Sequence, residues 1–256
     1  MNTELFSLQG RVALVTGGSR GIGRMIATGF LRQGAKVYIS ARKAAACDAA
    51  AAELSELGPC VSLPIDVSSV EGARALAAEI ARREPRLDIL VNNAGAAWSE
   101  DFDTFPESGW DKVMNLNTKA PFFLTQALHA LLKNAAQERP AKVINIASID
   151  GISVNPQETY SYAASKAGLI HLTRRMALRL AQDNIVMSGI APGAFPSDMN
   201  KVARDHGDKV ARRIPAGRIG RDDDMAGAAI FLASRAGDYV VGETIVVDGG
   251  VTHARA

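Results

Sequence analysis

The stretch Val12-Ala13-Leu14-Val15-Thr16-Gly17-Gly18-Ser19-Arg20-Gly21-Ile22-Gly23 decides the fold. Its first five residues show no alternation of polar and apolar side chains, so they read as a strand buried on both faces. The glycines that follow allow a sharp turn, and Ile22–Gln33 reads as the helix that leaves it. The same order repeats outward. Further strand-like runs are Lys36–Ser40, Val61–Ile65, Ile89–Val91, Lys142–Ala147, Asn184–Ile190 and Thr244–Val247, all but the last without alternation. Helical stretches at Val70–Arg83, Gly109–Lys133 and Ser161–Ala181 lie among them, and the alanine run 44–52 adds another. Strand, helix, strand in repetition means right-handed crossovers and a parallel sheet with helices on both faces. No linker or repeat interrupts it. The reading is a single doubly wound α/β domain over 1–256, of about seven strands.

Composition narrows the function. The 256 residues are 47% apolar, enough for a large core without disulfides. A formal net charge of +2 carries no footprint of a nucleic-acid binder. The one basic stretch, Lys201 to Arg213, is broken by Asp205 and Asp208. It reads as a solvated helix face, or as a lure for an anionic substrate tail. Cys47 and Cys60 are the only cysteines, and His129, His171, His206 and His253 are isolated, so no metal site is expected. No apolar run approaches about 18 residues, so no membrane span is expected, and the default location is the cytoplasm.

In a doubly wound, Rossmann-type sheet the ligand sits beyond the carboxyl ends of the strands, at the switch point. There the glycine turn lets backbone approach a pyrophosphate, and the next helix offers its free N–H groups to the phosphates. The spacing T-G-x-x-x-G-x-G resembles the fingerprint of the short-chain dehydrogenase/reductase family. The resemblance spans nearly the whole chain, because further motifs follow in order. It implies cofactor contacts from Gly17, Ser19, Arg20, Gly21, Ile22 and Gly23. It also implies that Asp66-Val67 hold an adenine, and that Asn92-Asn93-Ala94-Gly95 support the sheet and the cofactor. Pro192-Gly193 would border a nicotinamide, and Asp248-Gly249-Gly250 follow the last strand. An NAD enzyme puts an acid at the end of the second strand for the ribose 2′-hydroxyl. Here Ala41 stands there, followed by Arg42, so Arg20 and Arg42 are expected to take a 2′-phosphate and the cofactor to be NADP(H).

Tyr162 and Lys166 form Tyr-x-x-x-Lys, four apart on one helix face. An ammonium beside the phenol is expected to lower its pKa and fit it for proton exchange with a substrate oxygen. Ser148, at the end of the fifth strand, would position that oxygen. Tyr160 is rejected as the acid because Ala164 stands four residues on. By resemblance, Lys166 also binds the nicotinamide ribose. Asn117, seven residues after Trp110, would hold a water for proton relay; Asn115 is its rival, and a helix-kink role is compatible with either.

The motif segments most resemble 3-oxoacyl reductases, the β-ketoacyl reductase of rhamnolipid type among them. They imply NADPH-dependent reduction of a 3-oxoacyl thioester or related β-keto compound. The alternatives are a general ketone reductase or secondary-alcohol dehydrogenase, and a non-catalytic NADP-binding sensor. The family's two basic docking positions for a carrier protein correspond to Arg139 and Asp183, and a carboxylate at the second is expected to repel an acidic carrier. Val186-Met187-Ser188 replaces the usual Thr-Val-Asn, so local repacking is expected. Residues 195–214 should form a substrate lid, with Phe195, Met199, Val202 and Val210 either lining an apolar pocket or packing as ordinary helix. Relatives are usually homotetramers, and the resemblance implies the same here.

Overall fold

The computed structural model describes residues 3–254. One all-parallel sheet has the strand order β3-β2-β1-β4-β5-β6-β7. Its strands are β1 (Val12–Thr16), β2 (Lys36–Ser40), β3 (Cys60–Leu63), β4 (Ile89–Asn92), β5 (Ala141–Ile146), β6 (Ile185–Pro192) and β7 (Thr244–Val247). The helices are α1 (Gly21–Arg32), α2 (Ala44–Leu54), α3 (Val70–Arg83), α4 (Glu107–Met114), α5 (Ala120–Ala127), α6 (His129–Ala135), α7 (Tyr160–Leu180), α8 (Lys201–Asp205), α9 (Gly207–Ala211) and α10 (Asp222–Ala233).

Successive side chains of a strand point to opposite faces, and this divides the core in two. Ala13 and Val15 of β1 pack with Ile26 and Phe30 of α1 and Leu232 of α10. Leu14 between them packs with Leu76 and Ile80 of α3 and Leu124 of α5. All eight positions of β6 are buried, and Ser188 pairs in register with Ile144. The Val186-Met187-Ser188 run therefore sits in an unbroken strand. The chain runs outward from β1 to β3, then crosses back to place β4 on the other side of β1. That reversal opens the crevice in which ligands of such sheets bind.

Most boundaries shift from the sequence reading by a residue or two, and two differences have a physical cause. β6 starts at Ile185, because Asn184 adopts a left-handed conformation with φ of 56°. Asn tolerates this conformation at a helix end, and its amide donates across to the carbonyl of Ala136 at 2.7 Å. The expected helix Gly109–Lys133 is three helices, with a wide π turn at Asn115–Lys119 between α4 and α5. Pro121 has no N–H to give to the carbonyl of Asn117, and the Asn117 side chain is tied to other segments, as described below.

One buried and one half-buried ion pair lie at the amino ends of the strands. Arg11 Nε is 3.1 Å from Asp88 Oδ1, and Lys142 Nζ of β5 is 2.6 Å from Asp238 Oδ1. Arg11 also donates to the Pro140 carbonyl at 2.8 Å, and Asp88 accepts the N–H of Val12 at 2.9 Å. Among the described residues no helix is long and apolar enough to cross a membrane.

Candidate active site

The glycine turn sits at the carboxyl end of β1. Gly17 has φ of 66°, and a Cβ on Gly23 would stand 2.3 Å from the Gly17 carbonyl oxygen. Only glycine lets the turn and the first turn of α1 nest this closely. Asn93 fixes the turn from β4, donating to the carbonyls of Thr16 at 2.8 Å and Gly17 at 3.2 Å. The Thr16 hydroxyl accepts the N–H groups of Asn93 and Ala94, both at 3.0 Å, and donates to the Val91 carbonyl. Thr16 was absent from the expected site, although its place at the strand end was the available signal. A buried amide ladder, also missed, runs from Asn92 to Asn145 at 2.8 Å and on to Thr173 at 2.9 Å.

The other expected cofactor residues lie along the same edge. Ile22 packs against the core beside Ala41, Ser19 is half-buried, and Arg42 is exposed with no ion pair among the described residues. Asp66 is exposed and accepts the N–H of Ser68, while Val67 is buried in the α3 side of the core. Gly193 follows Pro192 at the end of β6, and its N–H donates to Val247 at 3.0 Å. A Cβ on Gly95 would lie 3.3 Å from Asn117 Oδ1 and 3.8 Å from Lys166 Nζ.

The structure brings Asn117, Ser148, Tyr162 and Lys166 together. Tyr162 and Lys166 stand one turn apart on α7, with Lys166 Nζ 5.6 Å from the centre of the phenol ring. That ammonium donates to the carbonyl of Ile146, the last residue of β5, at 2.7 Å. Ser148 accepts the N–H of Asp150 at 3.1 Å and lies near enough to the Tyr162 hydroxyl to favour its ionised form. Asn117 exchanges bonds with the Ala96 backbone at 2.8 and 2.9 Å and donates to Ser165 Oγ at 3.0 Å. Its rival Asn115 is only half-buried.

The electrostatics correct one expectation. Burial pushes the Tyr162 phenol up to about 12, the nearby Ser148 hydroxyl pulls the other way, and the Asp150 carboxylate adds to the rise. Burial lowers Lys166 to about 8, with no acid opposing it. The ammonium does not drag the phenol toward neutrality. It is turned to the Ile146 carbonyl, and desolvation of the phenolate sets the direction of the shift.

Exposed apolar side chains and carboxylates alternate beside the site, with Asp101, Asp103 and Glu158 close to Tyr160. Tyr160 is a rim residue, edge-on to Phe102 and Phe105 at 5.6 and 5.7 Å, and Phe102, Ile152 and Val154 are exposed. Within the segment 195–214, Phe195 is buried in the core, where its ring lies 2.4 Å from a Cβ position on Gly220. Phe195 therefore lines no pocket: the tight approach of Gly220 draws its ring inward. Met199 is exposed, Val210 is half-buried, and the Val202 side chain lies outside the described residues. Asp183 corrects another expectation. It is held by Arg179 at 2.7 Å, Lys133 at 2.9 Å and His129 at 3.0 Å, which keep its carboxyl well below the usual range. Its carboxylate is thus paired with half-exposed Arg179 and Lys133 and does not stand as an isolated negative charge.

A family profile described as enoyl-(acyl carrier protein) reductase matches residues 17–252. A rhamnolipids-biosynthesis 3-oxoacyl-[acyl-carrier-protein] reductase of Pseudomonas aeruginosa is 49% identical, over 96% of this chain and 97% of its own. The chain belongs to the short-chain dehydrogenase/reductase family. Members of the short-chain dehydrogenase/reductase family are oxidoreductases acting on CH–OH and C=O groups, and this chain is one of them. The Escherichia coli K12 5-keto-D-gluconate 5-reductase is 36% identical over 97% of this chain and 98% of its own. Among solved structures, the Pseudomonas aeruginosa RhlG/NADP active-site complex superposes with a TM-score of 0.94 at 47% identity, covering 97% of this chain and 99% of that one.

Proposed function

We propose that this reductase uses NADPH to convert the ketone of a 3-oxoacyl thioester, or a related β-keto compound, to a secondary alcohol. The observation that carries the reading is the juxtaposition of half-buried Tyr162 with buried Ser148 and Lys166. The cradle fits a dinucleotide: Gly17 and Gly23 leave no room for a Cβ, and Ala41-Arg42 offers a cation and no acid at the end of β2. Bound NADPH supplies the hydride. Ser148 donates a hydrogen bond to the substrate oxygen, and Tyr162 gives that oxygen its proton. A phenol held at about 12 stays protonated through neutral pH, which suits the reductive direction. Lys166, still mostly cationic at neutral pH, steadies the phenolate left behind. Asn117, locked by Ala96 and Ser165, holds the water through which the proton is replaced. Residues 195–214 cover the substrate within the single domain.

The substrate follows from the mouth. Exposed Phe102, Ile152 and Val154 suit an acyl chain. The Asp150 carboxylate near Tyr162 opposes the anionic end of a sugar acid, the substrate type named for the Escherichia coli relative. Paired Asp183 leaves both carrier-protein and coenzyme A thioesters open. We further propose a cytoplasmic homotetramer. The test is NADPH oxidation with acetoacetyl-CoA, a neutral β-keto ester, a bulky ketone and 5-ketogluconate. The thioester should turn over fastest and the gluconate slowest. Fastest turnover of the plain ketone would make the protein a general carbonyl reductase; fastest turnover of the gluconate would overturn the acyl reading.

A further inference from the structure

The arginine read as a phosphate ligand is already engaged. Arg20 stands at the N-cap of α1, and its Nη1 lies 2.5 Å from Asp198 Oδ2 in the segment 195–214. The other oxygen of that carboxylate takes Arg204 Nη1 at 2.7 Å, and Arg204 also grips Asp205 through Nε at 2.8 Å and Nη2 at 3.1 Å. The neighbouring residue closes the contact: Ser197 Cβ lies 3.3 Å from a Cβ position on Gly21. Ser197 and Asn200 stiffen the segment by accepting the N–H groups of Asn200 and Ala203 at 3.0 and 3.1 Å. The covering segment is thus fastened to the glycine turn through the same guanidinium that the cofactor would use. Arg42, the other candidate, makes no ion pair among the described residues.

We infer that Asp198 is a cofactor-discriminating residue, because its carboxylate and a ribose 2′-phosphate compete for Arg20. The inference rests on the NADP reading above. A phosphate near neutral pH carries more charge than one carboxylate and takes the guanidinium by a charge-assisted bond. Arg204 keeps Asp198 paired when Arg20 leaves, so the exchange strands no anion. A dinucleotide with a bare 2′-hydroxyl brings the same pyrophosphate but no charge at the 2′ position, and leaves the Arg20–Asp198 pair in place. Asp198 therefore weakens NADPH binding and leaves NADH binding alone, and NADPH unfastens the covering segment from the turn while NADH does not. The pair is exposed, 74% and 48% for its two side chains, so solvent screens it and the effect is modest.

The test is a pair of dissociation constants, for NADPH and NADH, read from nicotinamide fluorescence on the full chain. In Asp198→Asn the NADPH constant should fall by about two- to fivefold, the size expected of one exposed pair, with the NADH constant unchanged. The gain should shrink at about 0.5 M salt, roughly three times physiological ionic strength, and vanish in an Arg20→Gln background, which a merely structural role for Asp198 would not require. Parallel movement of both constants, or weaker NADPH binding, overturns the inference. A wild-type chain that binds the two cofactors equally overturns the NADP reading and the inference with it. NADPH preference with an unchanged ratio in Asp198→Asn overturns the inference alone.

Discussion

Two buried lysines meet the same strand at opposite ends and are treated differently. Lys142, the second residue of β5, is 1% exposed and lies 2.6 Å from Asp238; burial lowers its pKa, and the acid raises it back in part. Lys166 reaches the last carbonyl of β5 and has no acid beside it, so burial brings it to about 8. A lysine that only holds the fold together is matched with an acid. A lysine left unmatched is poised to change charge near neutral pH, which is the mark of a chemical role.

Four measurements break or sharpen this contrast. The largest effect is expected at the reactive end. Tyr162→Phe should lower NADPH-dependent turnover by about 10²–10⁴-fold, the usual range for removing a general acid, with cofactor binding intact; turnover near the wild-type rate would reject Tyr162 as the proton donor. Next, Asp238→Ala leaves Lys142 buried without its acid and should cost about 1–3 kcal/mol in urea unfolding. Adding Lys142→Met should restore most of that loss, since an apolar pair of similar volume replaces a buried ion pair well. Equal losses in the single and double variants would show that Lys142 is not held by Asp238.

The third is pH dependence. Reductive kcat/KM should fall above about pH 8 as Lys166 loses its proton, and Lys142→Met should leave that midpoint unmoved. The smallest effect is on stability. Lys166 is depressed from 10.5 to about 8, so the destabilisation from its buried charge is present below pH 8 and fades as pH rises toward 10.5. Tyr162 has the opposite sign: raised from 10.0 to about 12, it stabilises fully below pH 10 and ceases to do so by 12. Lys166→Met should therefore gain most over wild type at pH 7.5, and the gap should narrow at pH 9.5. A constant gap would mean that Lys166 is not depressed.

What the sequence makes legible is local. The glycine turn, β1 and α3 follow from spacing alone, because a tight turn and a helical face are set by neighbours in the chain. The break at Asn115–Lys119 does not, since apolar periodicity runs on through it while Ala96 and Ser165 hold Asn117 from elsewhere. Tyr162, Lys166 and Ser148 were readable as a set. The direction of the Tyr162 shift was not, because it depends on burial that spacing cannot report. Arg20 was visible as a cation, but its partner Asp198 lies 178 residues away in sequence. Asp183 shows the same limit: its identity suggested a lone negative charge, and three neighbours pair it.

The strand order has a consequence for how the chain is made. β1 pairs with β2 through Val12 and Lys36, but its other edge waits for β4, through Ala13 and Ile89. During synthesis the first half-sheet can assemble early, leaving β1, an interior strand of the finished sheet, with one side open. Until Ile89 emerges from the ribosome, that row of unpaired backbone groups is an open edge of the kind to which other chains adhere.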